Sequence, residues 1–207
     1  IQTAVFYQDR KNAQVKQSIF NSDDFSFDDY LDNTKANSVG LEIEALYLAS
    51  EKLSLYASLG LLNAELDDFF SLAHVDARTL DDGTAISLDG RDVAHSPNYQ
   101  FTIGGEYQLS PSWTLGIDIE GKDEFYFSNS HNEKSERYEL FHARLNYTDN
   151  QMTISLWGRN LTDEDVETRG FYFSNEGGNN PSNGYAAEAY SQFGELRLVG
   201  LSVTFEW

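Results

Sequence analysis

The sequence contains no cysteine. That excludes a disulfide framework, a thiolate metal site and a cysteine nucleophile. No run of about 18 apolar residues occurs, so no transmembrane helix is expected. Basic residues are few: 14 Lys and Arg stand against 34 Asp and Glu, a formal charge of −20. A phosphate-binding face needs Lys and Arg, which excludes nucleic acid as a partner. Proline is scarce, at three residues, whereas 12 Tyr and 14 Phe favour strands. Ile1 opens directly in a strand-like run, with no basic or small-residue lead. A signal segment was therefore removed, or the chain begins in the middle of something larger. Catalytic signatures are also missing. There is no Gly-x-Ser-x-Gly, no His-Glu-x-x-His and no phosphate-binding Gly-rich loop, so neither an enzyme nor a cofactor is expected.

What the sequence does have is alternation. At the C-terminal end Val199, Leu201, Val203, Phe205 and Trp207 point one way, and Gly200, Ser202, Thr204 and Glu206 the other. Successive side chains of a strand face opposite sides, so one face is oily and the other small or polar. The same pattern recurs over 39–49, 53–61, 99–108, 113–120, 140–147 and 152–160. With a mixed strand at Ile1–Arg10, this predicts about eight strands. The non-oily faces carry Glu42, Glu44, Gln100, Glu106, Asp118, Glu120, Arg144 and Glu206. Such groups are costly in a dry core unless paired, and are at home in a wet lumen. The oily faces carry almost no charge.

The connections alternate between short and long. Residues 50–52, 110–112 and 149–150 make tight turns; 11–35, 66–97, 128–136 and 163–194 are longer. All tight turns must then lie at one end of the sheet and all longer loops at the other. That sorting predicts an all-β fold, the antiparallel strands of a transmembrane β-barrel. Two other readings fit the strand count: a complete eight-stranded outer-membrane barrel with a structural or adhesion role, and a soluble lipocalin-like binding protein.

Three phrases carry a family resemblance. Ile154-Ser155-Leu156-Trp157-Gly158-Arg159-Asn160-Leu161-Thr162-Asp163 runs an alternating strand into an Asn-Leu-Thr-Asp phrase. Ala94-His95-Ser96-Pro97-Asn98-Tyr99 enters a strand through proline, and Gly40-Leu41-Glu42-Ile43-Glu44 alternates aliphatic and acidic residues. In order and spacing, from about residue 36 to the terminal aromatic, they resemble the barrel of TonB-dependent outer-membrane receptors. The resemblance implies that residues 1–207 are the C-terminal portion of such a receptor, holding the last eight strands of a 22-stranded barrel. No plug domain and no TonB-box segment are read in them. It implies a place in the bacterial outer membrane and active uptake of a scarce nutrient such as a ferric siderophore. The implied partners are outer-membrane lipid and lipopolysaccharide, the remaining barrel strands and plug from the same or another chain, the TonB complex through that plug, and a small-molecule ligand.

Candidate binding residues lie in two places. Phe171, Tyr172, Phe173, Tyr185 and Tyr190 sit among Gly and Asn in the last long loop. Exposed aromatics supply stacking area for a ligand; alternatively they pack on one another or form an aromatic girdle. Arg144 and His142 are expected to face the lumen. Asp81-Asp82-Gly83 and Asp89-Gly90 hint at Ca²⁺, but the full ligand set of a Ca²⁺ loop is not completed and no metal site is expected; solvated turn pairs account for them. Trp207 is expected at the periplasmic rim, which places the long loops outside the cell. If the chain is part of a larger barrel, the strands near Val5 and Val203 do not pair.

Overall fold

The computed structural model describes residues 1–21, 26–71, 85–173, 182 and 188–206, leaving aside the side chains of 18–21, 26–28 and 172–173. Thirteen strands are present among them: β1 (Gln2–Asn21), β2 (Ser26–Leu48), β3 (Leu53–Asp67), β4 (Phe70–Ser71), β5 (Ile86–Ser87), β6 (Arg91–Asp92), β7 (Tyr99–Ser110), β8 (Trp113–Lys122), β9 (Tyr138–Thr148), β10 (Met152–Arg159), β11 (Glu167–Phe173), β12 (Glu188–Phe193) and β13 (Leu198–Phe205). No α-helix occurs among the described residues.

Eight of these strands form one antiparallel meander in the order β1-β2-β3-β7-β8-β9-β10-β13. These are the eight expected from alternation. Their register keeps the faces separate from strand to strand. Val5, Leu41, Leu61 and Tyr99 pair in succession across the oily face. On the other face Ser58 pairs with Glu44 and Thr102, and Thr102 with Glu120. Because directly paired residues share a face, a slip of one residue anywhere would turn a strand's apolar set over. Among the described residues β1 and β13 are the two ends of the ladder and do not pair with each other.

The tight connections Ala49–Lys52, Pro111–Ser112 and Asp149–Gln151 all lie at one end of this sheet. The turn at Asp149 is held by its side chain, which accepts from the N–H groups of Gln151 and Met152, both at 2.9 Å. An Asx side chain offers the backbone just that local acceptor. All longer connections lie at the opposite, loop end.

The loop end departs from the sequence expectation. Residues 11–35 do not form a loop: β1 runs on to Asn21 and β2 starts at Ser26, paired throughout apart from one irregularity between Arg10 and Ala13. β2 is thus 23 residues long, where a tilted membrane crossing needs about 9–11. Beyond the membrane neither face of a hairpin meets lipid, so a continuous oily face is no longer required and the sequence signal there is weaker. The segment 66–97 contains β4, β5 and β6, and 163–194 contains the β11–β12 hairpin.

A small core sits at this end. Val15, Leu66 and Phe69 are buried together, with Ala36, Leu88 and Val93 packed against them. Gln17, 1 % exposed, donates to Asp32 Oδ2 at 2.7 Å and to the Phe70 carbonyl at 3.1 Å. The Thr34 hydroxyl donates to the Asp67 carbonyl at 2.6 Å. The β3–β7 connection is thereby seated on the extended β1–β2 hairpin.

Candidate functional site

The inward face is built by register. β8 and β9 place Gly116 opposite Arg144 and Asp118 opposite His142, while β7 places Glu106 opposite Gly116. Arg144 therefore crosses a glycine to form its ion pair with Glu106. A β-carbon at residue 116 would lie 2.9 Å from Nε of Arg144, so the arginine side chain would have to shift to admit one. The same device operates one pair along. Tyr56 lies over Gly104, where a β-carbon would meet the phenol oxygen at 2.5 Å and Cβ of Asp118 at 2.7 Å.

His142 is held from two sides. Its Nδ1 accepts the backbone N–H of Asn160 at 3.2 Å, and its Nε2 lies 3.6 Å from Glu120 Oε1. An imidazole that accepts at Nδ1 carries its proton at Nε2. The ring thus presents N–H toward Glu120.

A cavity of about 720 Å³ opens on this face, lined by Asp118, Glu120, His142, Arg144 and Trp157, with Val166 and Glu195 at its loop end. A second, of about 490 Å³, is lined by Glu42, Glu44, Gln100, Thr102 and Lys122. Cations here are already engaged: Arg144 by Glu106, and Lys122 by the Phe125 ring 4.7 Å away. Glu42 and Glu44 have no ion-pair partner among the described residues. The face is therefore acidic, with one indole, Trp157, fixed by donation from Nε1 to Ser202 Oγ at 3.1 Å.

Above this face the loops are pinned to one another. Arg91, 8 % exposed, lies 4.0 Å over the Tyr126 ring. It donates to Asn132 Oδ1 at 2.9 Å and to the His131 carbonyl. Burial lowers the guanidinium's proton affinity. Burial, and then the nearby Arg91 charge, push the His131 imidazole down to about 4. His95 is also lowered, first by burial, then by Lys122 and Arg169. Asn129 Oδ1 accepts the Ala94 N–H at 2.7 Å, tying residues 123–137 to the entry of β7.

Of the residues expected to bind ligand, Arg144 and His142 come together in the larger cavity. Phe171 and Tyr190 do not line it. They are register partners in the β11–β12 hairpin, and their rings stack at 5.7 Å and 16°, as the packing alternative expects. Phe171 nevertheless keeps 51 % of its surface exposed. Tyr172 and Phe173 fall on β11, but their side chains lie outside the described residues, as do Tyr185 and Trp207. Asp81, Asp82 and Gly83 lie outside them too. Sequence reasoning missed Trp157 and Asn160 as site residues. Trp157 was findable, since it shares strand parity with Ser155 opposite the oily Leu156. The buried role of Asn160 has no periodic signal.

A sequence profile described as "TonB dependent receptor-like, beta-barrel" matches residues 1–161. The chain belongs to the TonB-dependent receptor-like β-barrel family. Solved structures of similar fold agree. The siderophore receptor PiuA from Acinetobacter baumannii superposes with a TM-score of 0.70 at 17 % identity, covering 98 % of this chain and 25 % of the receptor. The ferric yersiniabactin uptake receptor FyuA from Yersinia pestis gives 0.69 at 18 % identity, covering 97 % and 26 %. The copper transporter OprC gives 0.66 at 14 % identity, covering 98 % and 28 %. This TonB-dependent receptor-family chain thus spans about a quarter of the length of the receptors it matches. A lipocalin-like fold is excluded by the family match.

Proposed function

We propose that the chain is the C-terminal part of the barrel of a TonB-dependent outer-membrane receptor, supplying the last eight strands of the wall and their loops. The receptor takes up a scarce nutrient such as a ferric siderophore, and the remaining strands and the plug come from elsewhere in the same polypeptide or from another chain. Energy coupling to TonB belongs to that plug. The chain itself carries out no catalysis. The observation that supports this reading most is the open ladder. Its two edge strands, β1 and β13, leave rows of N–H and C=O groups that lipid cannot satisfy. A complete eight-stranded barrel needs β1 and β13 paired, so the open ladder favours the larger wall. The small-molecule ligand meets Arg144, His142 and Trp157 at the wall and, at the loop end, the exposed Phe171 face. The loop end faces the outside, toward lipopolysaccharide, and the tight turns face the periplasm.

The test is uptake. Cells carrying the full-length gene should accumulate one of a panel of radiolabelled ferric siderophores, and lose that uptake when TonB is deleted. TonB-independent accumulation, or a native chain of about 23 kDa that is stable alone in detergent, overturns the reading. Orientation is read separately. Cysteine at Ser87, exposed in the β3–β7 connection, should react with an impermeant reagent on intact cells, and cysteine at Ser112 should not.

A further inference from the structure

Asn160 stands where β10 ends, and its surroundings connect two parts of the molecule. It is 2 % exposed and adopts φ 47°, the left-handed region that Asn enters more readily than most residues. Every polar atom of its carboxamide is used. Oδ1 accepts the Glu164 N–H at 2.8 Å, and Nδ2 donates to the Glu164 carbonyl at 2.8 Å and the Glu195 carbonyl at 3.2 Å. Glu164 precedes β11 and Glu195 follows β12. One carboxamide therefore joins both legs of the hairpin at its seat. The backbone N–H of the same residue donates to Nδ1 of His142, whose ring lines the inward cavity.

These bonds form one chain from the imidazole through Asn160 to the hairpin legs, with Glu120 3.6 Å from the ring's other nitrogen. If a group in the cavity draws the imidazole away, the Asn160 N–H is left buried without its acceptor. An unmet buried donor is costly, and the turn can relieve it by releasing the legs. We propose that Asn160 is a positioning residue coupling the cavity-facing His142 to the hold on the β11–β12 hairpin. A ligand group engaging His142 then changes how firmly the hairpin is seated. The coupling rests on the transport reading only for the source of that ligand; the bonded chain stands without it.

The test needs no ligand and no membrane orientation. Full-length protein, purified in detergent, is digested with trypsin, and cleavage after the exposed Arg169 on β11 is followed by mass spectrometry. His142→Phe removes the acceptor and His142→Asn restores one near the Nδ1 position. Asn160→Gly keeps the left-handed turn and removes the carboxamide. Loss of bonds of this kind should raise local opening, and with it cleavage, about tenfold in His142→Phe and Asn160→Gly. His142→Asn should stay near wild type, and the double variant should exceed neither single variant. Faster cleavage in Asn160→Gly with none in His142→Phe makes Asn160 a turn residue only and overturns the coupling. Independent, multiplying effects overturn it as well. If Asn160→Gly does not fold, the two His142 variants decide alone. Uptake failing with any ligand would not alter these digests.

Discussion

Away from the loop end, the residues of the eight long strands that are fully buried are glycines, Gly40 and Gly116. At the loop end the picture reverses. Val15, Leu66, Phe69, Phe125, Phe127 and Val166 are buried there, and so are Gln17, Thr34, Arg91, His131 and Asn160. Among the described residues the non-glycine residues with positive φ, Asp68, His95, Asn160 and Asp163, fall at the same end. One region is a regular wall one strand thick, whose oily side is suited to lipid. The other is a folded cap with its own core, its own buried polar groups and left-handed turns. The wall needs only alternation and register. The cap must satisfy its buried polar groups one by one, as a water-soluble domain does, and among the described side chains it leaves Nε of Arg91 without a hydrogen bond.

The comparison is broken most sharply by removing Phe69, 1 % exposed in the cap core. Phe69→Ala should cost about 3–5 kcal/mol of local stability. Hydrogen exchange should rise in residues 64–71 and 85–98, while the amount of heat-modifiable barrel stays unchanged. Loss of the barrel as well would mean that the cap and wall fold as one unit. Next comes the wall itself. Ile117→Arg, on the oily face between Gly105 and Ala143, should cost about 2–4 kcal/mol near the bilayer midplane and lower the assembled protein in outer-membrane fractions. Ser155→Arg, of opposite parity, should leave it near normal; equal damage from both would remove the distinction between faces.

A third prediction uses acid. The imidazole of His131 titrates at about 4 in the folded cap, below its usual 6.5. Between these values the unfolded segment binds more protons than the folded one. Cap stability is therefore complete above about pH 6.5 and falls as pH drops toward 4. Protection of residues 125–137, corrected for the slower intrinsic exchange in acid, should fall from pH 7 to pH 5, and His131→Gln should flatten that dependence. The smallest effect belongs to the wall's ion pair. Glu106 and Arg144 are 38 % and 51 % exposed, so Glu106→Gln should change stability by about 1 kcal/mol or less, with heat-modifiability on gels unchanged.

The wall was legible in the sequence because each constraint on it repeats. Leu41, Leu59 and Ile103 recur at a period of two, and the turns at 50–52, 110–112 and 149–150 sort to one end. The inward Glu106 and Arg144 were read from parity alone, although their pairing needed the register. The cap was not legible. Val15 and Gln17 alternate like wall residues but are buried by a connection about 50 residues away in sequence. Phe171 and Tyr190 were legible as loop aromatics, but that their rings stack on one another needed the hairpin register. Asn160 was noticed as part of a phrase, and its meaning lies in three carboxamide bonds that no pattern announces.

The small-against-large pairing on the inward face has a consequence for how such a wall changes over time. Tyr56 needs the empty space over Gly104, and Arg144 needs that over Gly116. The members of each pair are not equally free. Trimming the large partner leaves a gap that water fills, whereas a β-carbon at residue 104 collides with the Tyr56 ring and with Cβ of Asp118, and one at residue 116 pushes the Arg144 side chain aside. An inward face built this way tolerates change in its bulky residues more readily than at Gly104. The shape of the inward face is therefore most easily altered by exchanging what lies over the glycines, on a backbone that keeps its spacing.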